Sequence, residues 1–363
     1  MGSARVPYVS AKLQGFGTTI FAEMSALAIA KGAVNLGQGF PDYEGPAVVL
    51  EAAKAAIDGG LNQYPPGPGI PALRQALAAS IIGLCDTGDE VVMLEPSYDS
   101  YSAVVAMAGA IPKYVTLRPP HYDLDLDALR KAITPKTRLL LINTPHNPTG
   151  KVLTQAEMQG IADLAIEHDL IVVSDEVYEH LVFDGVKHIC MAEIPGMRER
   201  TLVLSSGGKT FNTTGWKVGW VCAPPHLIAA VRTAKQFLTY VAGGPFQAGI
   251  AAGLRLPDEY YREIADDLQI KRDRICAGLE EAGFLTYKPS GTYFVTVDIR
   301  PVRPDGDGFA FCRELPDRCG VVAIPNVVFY ANKDEGRHMV RFAFCKRHEV
   351  IDDATTRLKA LTR

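Results

Sequence analysis

One lysine of the sequence is placed for covalent chemistry with a carbonyl compound. Lys209 lies in the small-residue turn Ser-Ser-Gly-Gly-Lys-Thr, directly after an apolar run. A lysine held on such a turn at the end of a strand can form a Schiff base with an aldehyde. Because lysines in glycine-rich turns are more often solvated surface residues, this interpretation needs support from other segments of the chain.

Other segments supply the polar groups that such a lysine needs. Asn147 lies in His-Asn-Pro-Thr-Gly, Asp175 in Ser-Asp-Glu-Val-Tyr, and Arg341 in an otherwise apolar run. Each has an ordinary explanation when taken alone, since Asn-Pro-Thr-Gly favours a turn and an aspartate after a strand often caps a helix. However, Tyr98, Asn147, Asp175 and Lys209 all follow predicted strands, and ligands of parallel sheets bind at the carboxyl ends of the strands. We therefore expect these four residues to converge on one site.

The elements that must position these residues follow an alternating pattern. Short apolar runs alternate with helical segments, which favours an α/β fold with a mainly parallel sheet. Several runs are apolar throughout, as expected for strands that helices cover on both faces. The capping-box pattern Thr154 to Glu157 predicts the start of a helix that ends near residue 168. The predicted strands are 90–94, 113–117, 138–143, 170–174, 201–205 and 219–222, and further helices are predicted at 224–240 and 260–283.

The length of 363 residues favours two domains. We expect a large α/β domain at 46–270 and a smaller α+β domain that combines the N-terminal arm, 1–45, with 271–363. Short strands at 292–298, 321–324 and 339–344 and a closing helix from residue 349 are predicted for the smaller domain.

Composition excludes several classes of protein. The formal net charge of −4, with acidic and basic residues mixed, argues against a nucleic-acid binder. Apolar runs are too short for a membrane span, and the N-terminus lacks a signal pattern, so we expect a cytoplasmic protein. The seven cysteines are scattered without a C-x-x-C pair and the eight histidines lack metal-binding spacing. We therefore expect reduced thiols and no metal site.

From about residue 16 to the C-terminus, the order of asparagine, aspartate and lysine resembles the pyridoxal-phosphate (PLP) aminotransferases of class I. That family has fold type I, an α/β fold in which a large domain contains a mainly parallel, seven-stranded sheet between helices and a smaller domain is α+β. The segments 16–39, 62–69, 95–101 and 341–346 resemble the branch of kynurenine, glutamine K and methionine transaminases. This branch includes bacterial N-succinyldiaminopimelate aminotransferases. The most specific segment is 32–42, Gly-Ala-Val-Asn-Leu-Gly-Gln-Gly-Phe-Pro-Asp.

The resemblance implies transfer of an amino group from an L-amino acid to a 2-oxo acid such as 2-oxoglutarate. The donor would carry an aromatic, sulfur-containing or N-succinyldiaminopimelate-type side chain. Lys209 would bind PLP and then move a proton, while Asp175 would pair with the protonated pyridine nitrogen. Asn147 and Tyr178 would hydrogen-bond the ring oxygen, and Tyr98 would stack on the ring.

The remaining roles also come from the resemblance. Ser206 and Lys217 would reach the cofactor phosphate, and Arg341 would hold the substrate α-carboxylate in a bidentate pair. The backbone of Gly37 would also meet the substrate. Tyr64 resembles a tyrosine that reaches the phosphate from the partner subunit, which implies a homodimer with a shared active site.

One unit of the family pattern is missing from the sequence. Related chains have a strand, a phosphate-binding loop and the start of a helix, on the order of 30 residues, where this chain joins two helical segments at Ala79-Ser80. Either the sequence in hand omits a segment that the protein contains, or the deletion is real. We favour omission, because loss of a central strand would disrupt the sheet while every downstream motif is intact. In that case we expect a disordered phosphate loop and a crystal without bound PLP.

Two other enzyme classes fail on their motifs. Ser206 to Lys209 matches the S-x-x-K of penicillin-binding enzymes, but the required S-D-N and K-T-G motifs are absent. Residues 148–152 lack the glycine and the Ser/Thr of a P-loop. Two alternatives stay open. One is PLP-dependent β-elimination from cysteine conjugates, and the other is a non-catalytic protein of this fold if the deletion is real.

Overall fold

A computed structural model describes residues 11–13, 16–61, 73–239 and 243–362. The predicted phosphate ligand Tyr64 lies outside these residues. No helix in the described part of the chain is long and apolar enough to cross a membrane. All seven cysteines are free thiols.

The strands, in chain order, are β1 (Val34–Asn35), β2 (Glu90–Glu95), β3 (Ile111–Thr116), β4 (Thr137–Asn143), β5 (Ile171–Asp175), β6 (Thr201–Ser206), β7 (Gly219–Cys222), β8 (Leu285–Tyr287), β9 (Phe294–Asp298), β10 (Val321–Val322), β11 (Ile324–Pro325) and β12 (Met339–Ala343). The helices are α1 (Ile20–Lys31), α2 (Ala47–Asp58), α3 (Leu73–Leu84), α4 (Asp99–Ala108), α5 (Leu126–Ala132), α6 (Gln155–Glu167), α7 (Gly207–Thr210), α8 (Pro225–Leu238), α9 (Gly244–Gly253), α10 (Asp258–Glu281), α11 (Gly308–Cys319), α12 (Lys333–Gly336) and α13 (His348–Leu358). Each predicted strand and helix is present, with ends shifted by a few residues.

The large sheet has the strand order β3-β2-β4-β5-β6-β7. Its neighbours pair in parallel except β7, which runs antiparallel to β6. Alternate residues enter two separate hydrophobic cores: Val92 and Leu94 face one, and Val91 and Met93 face the other. Because both faces are covered, these strands are apolar throughout, as the sequence predicted.

The predicted capping box of α6 is also present. The Thr154 hydroxyl accepts a hydrogen bond from the backbone nitrogen of Glu157, and the Glu157 carboxylate accepts one from the backbone nitrogen of Thr154. Both bonds satisfy amide groups that the first turn of a helix leaves without partners.

The structure around the missing unit corrects two expectations: the count of seven strands, and the argument that loss of one strand would disrupt the sheet. Among the described residues the large sheet has six strands rather than seven, and α3 runs without interruption through Ala79-Ser80. The six strands form one continuous hydrogen-bonded series, so the missing strand is not one from the middle of this sheet. Our argument that its loss would disrupt the sheet was therefore wrong. The omission itself stays a prediction, which the intact mass of the protein from its natural source can check.

The second half of the chain builds a smaller sheet with the antiparallel order β11-β12-β9-β8. The N-terminal segment joins this part, since β1 pairs in parallel with β10. One hydrophobic core combines Met24 and Leu36 of the N-terminal segment with Ile275, Phe311 and Phe342. We keep boundaries near residues 45 and 270 as a proposal for the two domains.

Candidate active site

A cavity of about 600 Å³ lies where β2, β4, β5 and β6 end. Residues of the smaller sheet close it from the other side, including Arg341 of β12. The cavity is lined by eight of the residues that the sequence singled out: Tyr98, Asn147, Asp175, Tyr178, Ser206, Lys209, Lys217 and Arg341. Gly37 lies next to this group, where its carbonyl oxygen accepts a hydrogen bond from Arg341.

The local structure around Lys209 explains its small-residue neighbours. Ser206 ends β6, and its hydroxyl caps the one-turn helix α7 by accepting from the backbone nitrogen of Gly208 at 3.2 Å. A Cβ atom on Gly207 would lie 2.5 Å from the side chain of Ile250, so the close packing of this turn favours glycine there. Lys209 is thereby held in a fixed position at the cavity wall.

The amine of Lys209 is partly buried and donates a hydrogen bond to the hydroxyl of Tyr293 at 2.9 Å. Burial lowers the pKa of this lysine from its usual 10.5 to about 8, and the nearby charges of Lys217 and Arg341 act in the same direction. A substantial fraction of the amine is therefore neutral near pH 8, as a nucleophile or a general base requires.

Asp175 is the last residue of β5 and is buried in the cavity wall. Its Oδ2 accepts a hydrogen bond from the hydroxyl of Tyr101 at 2.6 Å, and its Oδ1 accepts from the backbone nitrogen of Val177 at 3.4 Å. Burial raises the pKa of this carboxyl group to about 6, whereas the bond from Tyr101 and the charge of Lys209 lower it. A cationic group in the cavity would favour the ionised form further.

Asn147 is fixed by the strand end that precedes it. Its backbone nitrogen donates to Oδ1 of Asn143 at 2.7 Å, and the amide of Asn143 donates to the carbonyl oxygen of Asp175 at 2.8 Å. The side-chain oxygen of Asn147 accepts from Nη1 of Arg341 at 2.8 Å. A hydrogen-bonded path therefore connects the ends of β4 and β5 to the smaller sheet.

Arg341 is a buried cation, with 1% of its surface exposed. Its Nη1 and Nη2 donate to Asn147 and Gly37, its Nε has no hydrogen-bond partner, and the Phe294 ring centroid lies 3.9 Å from Cζ. None of the salt bridges found among the described residues involves Arg341. Burial lowers its pKa to about 10, so it stays charged at neutral pH. Since a buried charge without a counter-ion is costly, this arrangement favours binding of an anion.

Aromatic rings complete the wall around Lys209 and Asp175. Tyr98 caps α4 and meets Tyr101 edge to face, with ring centroids 5.6 Å apart. Tyr178 follows β5 and meets Tyr293 in the same geometry at 5.3 Å. Both arrangements are the preferred geometry of aromatic pairs, so each ring is held by its neighbour.

Sequence reasoning missed the hydrogen bonds of Tyr101 and Tyr293. Tyr101 lies in the first turn of α4, three residues after the N-cap residue Tyr98, and this short spacing is the signal that could have placed both side chains near the site. Tyr293 carries no comparable signal, because its contact depends on how the smaller sheet is placed relative to the turn that carries Lys209. Phe21 and Gln38 of the N-terminal segment also line the cavity and were not predicted. The described residues contain no cluster of His, Cys, Asp and Glu that could hold a metal ion.

Comparison with known proteins agrees with this geometry. The family described as "Aminotransferase class I and II" matches residues 78–358. The chain is 48% identical to a probable N-succinyldiaminopimelate aminotransferase of Mycobacterium tuberculosis, over 96% of this chain and 98% of the relative. It is 37% identical to the methionine aminotransferase of Escherichia coli, over 96% and 97%.

The alignment with the Mycobacterium relative contains positions that this chain lacks. It spans 388 positions, whereas 96% of this 363-residue chain supplies about 350, so about 40 positions have no counterpart in this chain. The alignment covers the relative almost from end to end. Most of the positions without a counterpart therefore lie within the aligned region.

Solved structures agree with the fold. The N-succinyldiaminopimelate aminotransferase of M. tuberculosis superimposes with a TM-score of 0.95 at 48% identity, covering 97% of this chain and 100% of that chain. The methionine aminotransferase from E. coli gives a TM-score of 0.92 at 36% identity, covering 97% and 99%. The family model matches most of the chain, and the relatives align with it over nearly their whole length. Together with the convergence around Lys209, these matches show that this chain belongs to the class I and II aminotransferases and is a PLP-dependent enzyme of fold type I.

Proposed function

We propose that this aminotransferase takes the amino group of an N-succinyldiaminopimelate-type donor and passes it to 2-oxoglutarate. The observation that supports the chemistry is the convergence of Lys209, Asp175, Asn147 and Arg341 on one cavity. The donor is inferred from relatives, because identity to the N-succinyldiaminopimelate aminotransferase is 48%, compared with 37% to the methionine enzyme.

The residues of the cavity fit PLP at each part of the molecule. Asp175 provides the acid for the pyridine nitrogen, Asn147 and Tyr178 surround the position for the ring oxygen, and Tyr98 provides a ring for stacking. Lys209 provides a partly buried amine for the aldehyde. Ser206 and Lys217 provide a hydroxyl and a cation for the phosphate.

The bound cofactor supplies an electron sink for the bond that breaks at the substrate α-carbon. This chain's own residues supply the rest. The amine of Lys209 moves the proton of the α-carbon, for which a pKa near 8 is suitable. The carboxylate of Asp175 keeps the pyridine nitrogen protonated. The guanidinium of Arg341 holds the α-carboxylate of every donor and acceptor, and the burial of this cation excludes water from the contact.

A donor screen tests the proposal. Glutamate formation from 2-oxoglutarate is measured with N-succinyl-LL-2,6-diaminopimelate, methionine, kynurenine and phenylalanine at equal concentration. We expect kcat/KM to be highest for the N-succinyl donor. A higher value for methionine or kynurenine would reject the donor and keep the aminotransferase. Release of pyruvate or ammonia from a cysteine conjugate, without glutamate, would instead support β-elimination.

We also propose a homodimer whose active site includes Tyr64 of the partner subunit. This proposal is supported by apolar side chains exposed on three helices, α2, α8 and α9. Val48 and Ile57 of α2, Phe246 of α9 and Phe237 of α8 are exposed, Phe237 at 86%. Sedimentation velocity should give twice the monomer mass, and Phe237→Glu should weaken the dimer. A wild-type monomer that has full activity would reject both parts of this proposal.

A further inference from the structure

Tyr101 is a buried active-site residue whose hydroxyl group meets a charged partner. It lies in the first turn of α4, three residues after the N-cap residue Tyr98, and the rings of the two tyrosines are in contact. Its side chain is 4% exposed, and its hydroxyl donates to Oδ2 of Asp175 at 2.6 Å. That distance is typical of a hydrogen bond from a hydroxyl group to an ionised carboxylate.

This bond distinguishes the two oxygens of Asp175. Oδ2 is engaged by Tyr101, whereas Oδ1 accepts a long bond of 3.4 Å from the backbone nitrogen of Val177. Oδ1 is therefore the oxygen that can pair with the pyridine nitrogen of the cofactor. A carboxylate fixed at one oxygen also loses its freedom to rotate, so the position of Oδ1 is defined.

The ring of Tyr101 has a second contact in the site. It meets the ring of Tyr98 edge to face, with an interplanar angle of 87° and centroids 5.6 Å apart. Two parts of the proposed ring-binding site, the acid and the stacking ring, are therefore held by the same side chain.

We propose that Tyr101 is a positioning residue of the transamination site, which fixes Oδ2 of Asp175, keeps that carboxylate ionised and supports the ring of Tyr98. The inference rests on the proposed function, because only there is Asp175 assigned to the pyridine nitrogen. The physical reason is burial, which favours the neutral acid, whereas a donated hydrogen bond favours the carboxylate. A neutral acid at this position would no longer stabilise a protonated pyridine nitrogen.

Several titratable groups act on Asp175 from the elements packed around it. They are Tyr101 of α4, Glu176, Tyr178 and Glu179 after β5, and Lys209 of α7. Among these side chains, Tyr101 is the one whose hydrogen bond to the carboxylate is observed in the described structure. Removal of this hydroxyl therefore isolates its contribution to the ionisation of Asp175 and leaves the surrounding charges in place.

The test is the holoenzyme with Tyr101→Phe, which keeps the ring against Tyr98 and removes the hydrogen bond. We expect kcat to fall at least about tenfold, while KM for the donor stays within about threefold, because the lost bond is charge-assisted. The acidic limb of the pH profile of kcat should move up by roughly one pH unit. Tyr122→Phe is the matched control: it removes another buried hydroxyl, 3.5 Å from the sulfur of Met339, and should change neither quantity.

A double variant separates positioning from a general structural role. If Tyr101 acts through Asp175, the Tyr101→Phe change should have little further effect on PLP affinity or kcat in an Asp175→Asn background. Fully additive losses would overturn the inference, as would an unchanged kcat and acidic limb in Tyr101→Phe. A wild-type protein that binds PLP without turnover would reject the proposed function instead. The change of the visible absorbance of bound PLP with pH would then still test Tyr101. The midpoint pH of this absorbance change should rise in Tyr101→Phe, and an unchanged midpoint would overturn the inference.

Discussion

The amine of Lys209 lies 2.9 Å from the hydroxyl oxygen of Tyr293, to which it donates a hydrogen bond. The same hydroxyl donates onward to the carbonyl oxygen of Gly39 at 2.9 Å. Lys209 follows β6 of the large sheet, Tyr293 precedes β9 of the smaller sheet, and Gly39 belongs to the N-terminal segment. The free amine is therefore held by a chain of contacts that joins three separate parts of the molecule.

This contact predicts a kinetic effect of Tyr293→Phe. The change removes the acceptor of the free amine and keeps the ring that packs against Tyr178, so kcat should fall about three- to tenfold. Tyr287→Phe is the control, because this partly buried tyrosine of β8 meets Tyr122 rather than the cavity. Steady-state rates with one donor are sufficient. An unchanged kcat for Tyr293→Phe would show that the amine does not depend on this hydroxyl during turnover.

Lys209→Ala should abolish transamination and leave the fold intact. No other amine among the residues lining the cavity is a substitute, since Lys217 is proposed to contact the phosphate. Borohydride treatment of the holoenzyme followed by mass spectrometry should add PLP to the wild type and not to the variant. Lys54→Ala, which removes an exposed lysine paired with Glu51 on α2, should behave like the wild type. Turnover of Lys209→Ala near the wild-type rate would refute the assignment.

The pKa of Lys209 predicts how PLP incorporation depends on pH. Because the protonated amine cannot attack an aldehyde, the rate should follow the neutral fraction of Lys209. With a pKa of about 8, that rate should rise about tenfold per pH unit below pH 8 and level off above it. Stopped-flow absorbance of the cofactor-free protein mixed with PLP measures this directly. A rate that keeps rising to pH 10 would mean that the lysine has an ordinary pKa.

Much of the fold could be predicted because its signals are local. Strands such as β4 and β5 are apolar throughout and lie between helices, so their burial on both faces is visible in the sequence. Asp175 and Lys209 could be singled out because each follows such a strand. Their convergence then follows from the parallel order of the sheet rather than from any property of the two residues.

The rest could not be predicted because it depends on packing between distant segments. Nothing in the sequence near Tyr293 indicates a contact with Lys209, 84 residues away. The single helix α3 runs through Ala79-Ser80, where the sequence analysis placed the junction of two helical segments, because each of these segments has local helical character.

Two side chains of the described residues are proposed to contact the phosphate end of the cofactor. Ser206 and Lys217 line the cavity, whereas the backbone loop expected from the family pattern lies in the missing unit. Lys217→Met should therefore lower the affinity for PLP at least about tenfold, since it removes a charge-assisted contact. Its affinity for pyridoxal, which lacks the phosphate, should stay within about twofold of wild type. Equal losses for both compounds in a fluorescence titration would show that Lys217 acts on the ring rather than on the phosphate.

Arg341 predicts a defect shared by all donors. Its Nη1 and Nη2 are held by Asn147 and Gly37, while its Nε is left without a partner beside the cavity. Since every amino acid carries an α-carboxylate, Arg341→Ala should raise KM for each donor and lower kcat/KM about 10²- to 10³-fold, as expected for a lost bidentate pair. Arg118→Ala, which breaks an exposed ion pair with Glu335, is the control and should leave KM unchanged. A defect restricted to one donor would show that Arg341 recognises the side chain, and the α-carboxylate would then need another partner in the cavity.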